Sequence, residues 1–206
     1  MWRAGINALC LAFLTACDAF PLPGSGTDPG VTVTRSQITL LGPTGYCVDP
    51  KSVQNSEKQA FAIFGNCAAL STGLFIPQPR ERAVALASVS SLGLETPRIS
   101  EAPDTFLDVI TSDVGKVALS RTGDPETVEI FESFVDDGTV YIFLNDGSET
   151  AVPGTADRFW RAYFDVSDAL ITVSLQHFDE EPLSRSEGLS ALRDFVRHFQ
   201  DQPSAD

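Results

Sequence analysis

The chain has 206 residues and a formal net charge of −14, with 43% hydrophobic and 20% charged residues. This length and composition suit one globular core, and an acidic surface is repelled by phosphate backbones, so we expect no nucleic-acid binding. The charge would also suit a site for cations or a basic partner, although a role in solubility explains it as well.

The first sixteen residues, "MWRAGINALCLAFLTA", predict a secretory signal peptide over residues 1–16. Arg3 supplies the positive charge, and the apolar run from Ile6 to Leu14 is too short to span a bilayer as a helix. The alternative is a buried N-terminal helix. In that alternative the two cysteines of this region are core residues, and the polar stretch that follows must leave the core.

The residues Leu14-Thr15-Ala16-Cys17 resemble the lipobox of bacterial lipoproteins. An ordinary signal peptidase requires a small residue where Leu14 stands, whereas the lipobox accepts it. The resemblance implies that a diacylglycerol is attached to Cys17 and that the chain is cut before it. We therefore expect an anchor in the bacterial cell envelope, facing the periplasm, with the choice of inner or outer membrane left open.

The next segment, "DAFPLPGSGTDPG", is rich in proline and glycine and predicts a flexible tether over residues 17–30. A flexible chain of this length reaches roughly 20 Å on average. Residues 31–206 are then predicted to form one globular domain.

Four cysteines are present. Cys10 is predicted to leave with the signal peptide and Cys17 to carry lipid, so Cys47 and Cys67 remain as a pair in an oxidising compartment. We expect a disulfide between them, which would contribute roughly 3 kcal/mol by the chain-entropy estimate. The alternatives are two free thiols or a metal site, and a metal site needs more ligands than the neighbouring sequence offers.

The first part of the domain predicts strands in "SQITLLG", "AFAIFGNCAAL" and "AVALASVSSLG", with a turn-rich "PTGYCVDP" and a short helical or irregular piece over 51–58. The segment "SEAPDTFLDVITSDVGK" predicts a helix, since Pro103 suits its first turn and Gly115 would end it. Its apolar face is predicted to hold Phe106, Leu107, Ile110 and Val114.

Five further segments predict strands: "KVALSR", "ETVEIFESFV", "TVYIFLND", "RFWRAYFDV" and "ALITVSLQHF". The turn signals between them at 136–138, 145–147 and 165–168 indicate an antiparallel meander. The chain closes with an amphipathic helix, in which Ser184 and Glu187 have capping-box spacing. We expect Phe195 and Val196 on that helix to be buried against the sheet, and Arg193 and Arg197 to reach water.

Together these elements predict an α+β fold: an antiparallel sheet of about six to eight strands, with the C-terminal helix and one mid-chain helix packed on it. The segment from "WRAYFDV" to "ALRDFVRHF" weakly resembles the PsbP-like fold of small bacterial envelope proteins. The "GYCVDP…GNC" cysteine pair is similar to that of uncharacterised alphaproteobacterial lipoproteins. Neither resemblance implies an activity or a functional residue.

Catalytic chemistry has few candidate residues in this sequence. His177 has Asp179, Glu180 and Glu181 close to it in the chain, but a strand-end histidine beside a solvated acidic loop explains the pattern equally. His198 fits a cation at the end of a helix, and "NDGSE" reads as a turn rather than a calcium loop. No nucleophile elbow or phosphate-binding loop occurs in the sequence, so we expect no catalytic residue, no metal and no cofactor.

The functional expectation is a non-catalytic accessory or binding module that contacts the membrane through acylated Cys17 and binds an unidentified envelope protein or component. The alternatives are a membrane-anchored hydrolase that uses carboxylates or His177, and a protein that captures a small ligand or a metal. A cleft that joins His177 to acidic side chains would favour the hydrolase. A shallow apolar patch would favour the binding module, and a pocket between helix and sheet would favour ligand capture.

Overall fold

The centre of the fold is an antiparallel sheet built from the alternating and β-branched segments of the sequence. The computed structural model describes residues 30–33, 38–56, 59–71, 75–92, 96–150 and 152–201. The strands in these ranges are β1 Gly30–Val33, β2 Ile38–Leu41, β3 Tyr46–Val48, β4 Gln54–Asn55, β5 Gln59–Asn66, β6 Ala83–Ser91, β7 Val128–Asp136, β8 Thr139–Asp146, β9 Arg158–Val166 and β10 Ala169–His177.

The strand order in the sheet is β3-β5-β6-β10-β9-β8-β7, and β4 also pairs with β5. β1 and β2 form a separate hairpin beside it. The predicted meander is present, because β7, β8, β9 and β10 pair in sequence order. The large sheet has eight strands, so the predicted α+β class and strand number are confirmed.

The helices lie on both faces of this sheet, with α4 on one face and α2 on the other. Their bounds are α1 Cys67–Leu70, α2 Pro103–Thr111, α3 Asp113–Leu119 and α4 Arg185–Gln200, and short 3₁₀ turns occupy Ile99–Glu101 and Pro125–Thr127. The predicted C-terminal and mid-chain helices are therefore both present, although the mid-chain helix is divided in two.

Helix α4 begins at the predicted capping box. The Ser184 hydroxyl accepts from the Glu187 backbone N–H, and the Glu187 carboxylate accepts from the Ser184 backbone N–H at 2.9 Å. Hydrogen bonding of the carboxylate to the Ser184 side chain and backbone holds the pKa of Glu187 below its ordinary value. The helix start therefore follows from local sequence chemistry.

The face of the sheet under α4, here called the α4 face, carries the larger core. Phe195 is fully buried there, with its ring centroid 4.8 Å from that of Tyr46 and 5.7 Å from that of Phe64. Val196 is buried beside it, while Arg193 and Arg197 reach solvent. The predicted packing of this helix is confirmed.

The opposite face, here called the second face, carries a smaller core under α2 and α3. Side chains of β9 alternate between the two cores. Trp160 and Phe164 lie on the α4 face, and Phe159 and Tyr163 lie on the second face. The Phe106 ring of α2 meets the Tyr163 ring at 5.3 Å between centroids. The aromatic side chains of β9 therefore serve mainly to pack the sheet against the helices on its two faces.

The mid-chain helix differs from the prediction at Ser112. α2 ends there, and the Ser112 hydroxyl accepts from the Gly115 backbone N–H at 3.2 Å, so Ser112 caps a second helix, α3. Gly115 therefore lies inside α3, where a Cβ would stand 2.3 Å from the Val109 and Ile110 carbonyl oxygens. The break turns Val114 outward, leaving it 81% exposed, so its predicted burial was wrong.

Two other segments also differ from the prediction. "KVALSR", predicted as a strand, contributes Lys116–Leu119 to α3 and ends in a bend. In the piece over 51–58, the described residues 51–56 contain a turn and the short β4, which fits the irregular alternative of that prediction rather than the helical one. In "AFAIFGNCAAL" the strand stops at Asn66, whose side chain accepts from the Ala68 backbone N–H at 2.9 Å and starts α1.

Candidate functional site

The predicted anchor lies outside the described residues. This applies to Cys17, to the signal peptide over 1–16, and to the tether as far as residue 29. The other predicted pair is present as a disulfide: Cys47 of β3 and Cys67 of α1 have Sγ atoms 2.01 Å apart and Cα atoms 4.8 Å apart. It joins the edge strand β3 to the first residue of α1, directly after β5, and the prediction of this disulfide is confirmed.

His177, at the end of β10, does not face an acidic cleft. Its ring is half-buried, and Nδ1 lies 3.2 Å from the Phe178 carbonyl oxygen. Asp179 and Glu180 are exposed, and Glu181 pairs with Arg82. The region around His177 that the structure describes therefore lacks the convergent carboxylates that a hydrolase of this type would need.

Asp146 is fully buried and holds together a loop that the sequence indicated only as a turn. Its Oδ1 accepts from the Thr127 hydroxyl at 2.9 Å and the Ser148 hydroxyl at 2.7 Å, and its Oδ2 accepts from the Arg121 backbone N–H at 2.8 Å. The Arg121 guanidinium Nε lies 3.2 Å from Oδ2. Burial acts to raise the pKa of Asp146, but these hydrogen bonds outweigh it and leave that pKa below its ordinary value.

Both carboxylate oxygens of Asp146 already accept hydrogen bonds from protein donors, so Asp146 acts as a structural anion rather than a cation ligand. Among the described residues, no group of three or more histidine, cysteine, aspartate or glutamate side chains could hold a metal ion. Within the same residues, no helix is long and apolar enough to cross a membrane.

A cavity of about 290 Å³ opens between the start of α4 and the ends of β8, β9 and β10 on the α4 face. We call it the aromatic cavity, and its lining includes Phe143, Arg158, Trp160, Leu175, His177, Leu183, Arg185 and Gly188. The Phe143 and Trp160 ring centroids lie 5.0 Å apart, and the Trp160 Nε1–H donates to the Arg185 carbonyl oxygen at 3.0 Å. His177 therefore belongs to a largely apolar cavity with arginines in its wall.

A second candidate surface lies on the second face, where α2 and α3 stop short of β5 and β6. We call it the open sheet face, and its half-buried or exposed side chains are Gln59, Phe61, Ile63, Leu86, Ser88, Ser90 and Thr172. One row crosses four strands, because Phe61 pairs with Gln54 on one side and Ser88 on the other, and Ser88 pairs with Thr172. The covered region begins at Tyr163, the next residue of the same row.

A groove of about 330 Å³ runs along this surface beside Phe61. Its described lining is uncharged and consists of Gln54, Asn55, Ser56, Gln59, Ala60, Phe61, Ser88, Val89 and Ser90. In a chain of net charge −14, such a patch of amide and hydroxyl groups around one aromatic ring is a distinct chemical environment.

Sequence reasoning missed both surfaces. The signal for the open sheet face was present in "AVALASVSS", where one alternating set is alanine and valine as far as Val89 and the other ends in Ser88 and Ser90. That pattern identifies two faces but does not say which is left without a helix. The aromatic cavity brings together Arg158 and Arg185 from different elements, and no local spacing indicates their proximity.

Comparisons of this chain with family models, curated proteins and solved structures gave no match.

Proposed function

We propose that the chain is a lipid-anchored binding module of the bacterial cell envelope that faces the periplasm and contacts a neutral glycan through the open sheet face. The observation that carries this proposal is the groove beside Phe61, whose described lining is uncharged. The lipobox-like Leu14-Thr15-Ala16-Cys17 supports the anchor and the location.

The chemistry of the groove favours a sugar. Serine hydroxyls both donate and accept hydrogen bonds, and glutamine amides do the same through two different atoms, which matches the hydroxyl groups of a carbohydrate. Ser88 and Ser90 offer hydroxyls on one side of Phe61, and Gln54 offers an amide on the other. The Phe61 ring provides an apolar platform for the C–H face of a sugar ring.

The flat geometry of the surface also supports binding rather than catalysis. Its side chains project from paired strands of one sheet, which hold them at fixed spacing without any movement of loops. The disulfide Cys47–Cys67 joins β3, which pairs with β5, to the residue that directly follows β5. The site is therefore preorganised, which lowers the entropic cost of binding.

The tether makes modest affinity sufficient. A domain held to the membrane by a tether that reaches roughly 20 Å stays close to the envelope polymers above the membrane. This confinement raises its effective concentration for such a polymer, so weak contacts repeated along the polymer hold the domain in place.

The test is equilibrium binding of the purified protein to neutral oligosaccharides by calorimetry, and its co-sedimentation with peptidoglycan sacculi. Phe61→Ala should weaken binding at least tenfold, and Ser88→Ala should weaken it by a smaller factor. Phe131→Ala is the matched control, since Phe131 is also a solvent-accessible phenylalanine, 39% exposed, on the opposite edge strand β7. Equal binding by the wild type and Phe61→Ala, or no binding to any glycan, would overturn the proposal.

A further inference from the structure

We propose that the aromatic cavity is a second binding site, for a small apolar carboxylate: one aromatic ring or short alkyl chain that bears one negative charge. It lies on the α4 face, on the opposite side of the sheet from the open sheet face. The two proposals are independent, because the lining residues and the ligand chemistry of the two sites differ.

The interior of the cavity supplies an apolar surface. Trp160 and Leu175 are almost completely buried beneath it, and Phe143 and Leu183 are half-buried at its sides. Gly188 allows α4 to approach closely, since a Cβ there would stand 3.2 Å from Trp160 Cδ1. A ligand that enters the cavity therefore removes its own apolar surface from water against aromatic and aliphatic side chains.

The side chains at the opening select the charge of the ligand. Arg158, Arg185 and His177 line the cavity, and no aspartate or glutamate is present in its described lining. This is unusual in a protein with 28 acidic and 14 basic residues. Guanidinium groups bind carboxylates through paired, charge-assisted hydrogen bonds, so an anionic head group fits this opening better than a neutral or cationic one.

Both arginines are already held in place by neighbouring side chains. The Arg158 guanidinium carbon lies 4.5 Å from the centroid of the Phe131 ring, and Arg158 makes no ion pair with any residue the structure describes. The Arg185 guanidinium lies over Phe143 at 5.2 Å, and its Nη1 is 2.9 Å from the Glu132 carboxylate. Arg158 can therefore offer its full charge to a ligand, whereas Arg185 is shared with Glu132.

The volume of the cavity limits the ligand. A volume of about 290 Å³ lies just below the usual range of small-molecule sites, which begins near 300 Å³. A single ring or a short chain fits this space, and the carboxylate then stands at the opening beside the arginines. Phenylacetate and octanoate are suitable probes of the two shapes.

Trp160 provides a direct readout, because the sequence has only one other tryptophan, Trp2. In the full chain carrying Trp2→Phe, all tryptophan fluorescence comes from the cavity wall. Titration with phenylacetate or octanoate should give a saturable change in this signal. The neutral analogues phenylethanol and octanol should bind at least tenfold more weakly.

Substitution of the arginines tests the charge argument. Arg158→Gln should weaken binding of the carboxylate probes at least tenfold and leave the affinity for the neutral analogues unchanged. Glu132→Gln should strengthen binding of the carboxylate probes several-fold, because Arg185 then no longer shares its charge with Glu132. Arg197→Gln is the matched control, since Arg197 lies on α4 outside the cavity lining and should have no effect. The proposal is overturned if no probe gives a saturable signal, if neutral and charged probes bind equally, or if Arg158→Gln and Arg197→Gln have the same effect.

Discussion

Replacement of Asp146 by asparagine should destabilise the protein strongly, although the two side chains have nearly the same shape. In Asp146→Asn one carboxylate oxygen becomes an amide nitrogen. If that nitrogen takes the Oδ2 position, it meets the Arg121 backbone N–H and guanidinium; if it takes the Oδ1 position, it meets the Ser148 backbone N–H. Both orientations place a donor against a donor in a fully buried site.

The expected cost follows from the burial of the partner. The Arg121 side chain is only 13% exposed, so loss of the Asp146 carboxylate leaves a nearly buried cation with the half-exposed Asp157, 3.5 Å away, as its remaining counter-ion. Removal of one partner from such a pair costs about 3–5 kcal/mol, or roughly 6–20 °C in Tm for a domain of this size. Urea and thermal unfolding followed by circular dichroism measure both quantities. Asp168→Asn is the control, because Asp168 is 87% exposed in its pair with Arg98 and should cost at most about 1 kcal/mol.

The same interaction should depend on pH. Because the pKa of Asp146 is lowered in the folded state, its stabilisation is fully present above the unfolded value of about 4 and is lost as the pH falls through the folded pKa. The difference in unfolding free energy between the wild type and Asp146→Asn should therefore shrink below about pH 4. A cost under about 1 kcal/mol at pH 7, or a difference that stays constant down to pH 2, would refute this reasoning.

Three further predictions concern the core, the disulfide and the anchor. Phe195→Ala should cost about 3–5 kcal/mol in urea unfolding, because the ring is fully buried among other aromatic rings; a cost below about 1 kcal/mol would mean that α4 is peripheral. Cys47→Ala should cost about 2–5 kcal/mol, and alkylation of the wild type should detect the Cys47 and Cys67 thiols only after reduction. Cys17→Ser should leave an uncut precursor without acyl chains, and mass spectrometry of the wild-type N-terminus should find lipid on Cys17.

The strands and the terminal helix could be predicted from the sequence because their patterns are local. Strand alternation in β7 to β10 and the capping box at Ser184 each depend on neighbouring residues, and the structure contains both. The break between α2 and α3 was missed because the apolar spacing continues through Ser112 as far as Val114. The capping hydrogen bond of Ser112 competes with continuation of the longer helix and starts α3 instead. Val114 then points toward solvent rather than toward the sheet.

The candidate sites were less predictable than the fold because they depend on what tertiary packing leaves uncovered. Phe61 and Ser88 have ordinary strand patterns, and they are accessible to solvent because α2 covers the sheet only as far as Tyr163. Similarly, Arg158 and Arg185 come from a strand and a helix that meet at one cavity. Asp146 was interpreted as a turn residue because its donors come from segments before and after it in the chain.

The most direct test of the central claim, that the open sheet face binds an envelope glycan, is photo-crosslinking in intact cells. A benzophenone amino acid in place of Phe61 should form an adduct that contains sugar residues by mass spectrometry. The same photoreactive residue in place of Val114, which is 81% exposed on α3, should form none. A sugar-free adduct at position 61, or equal adducts at both positions, would contradict the account.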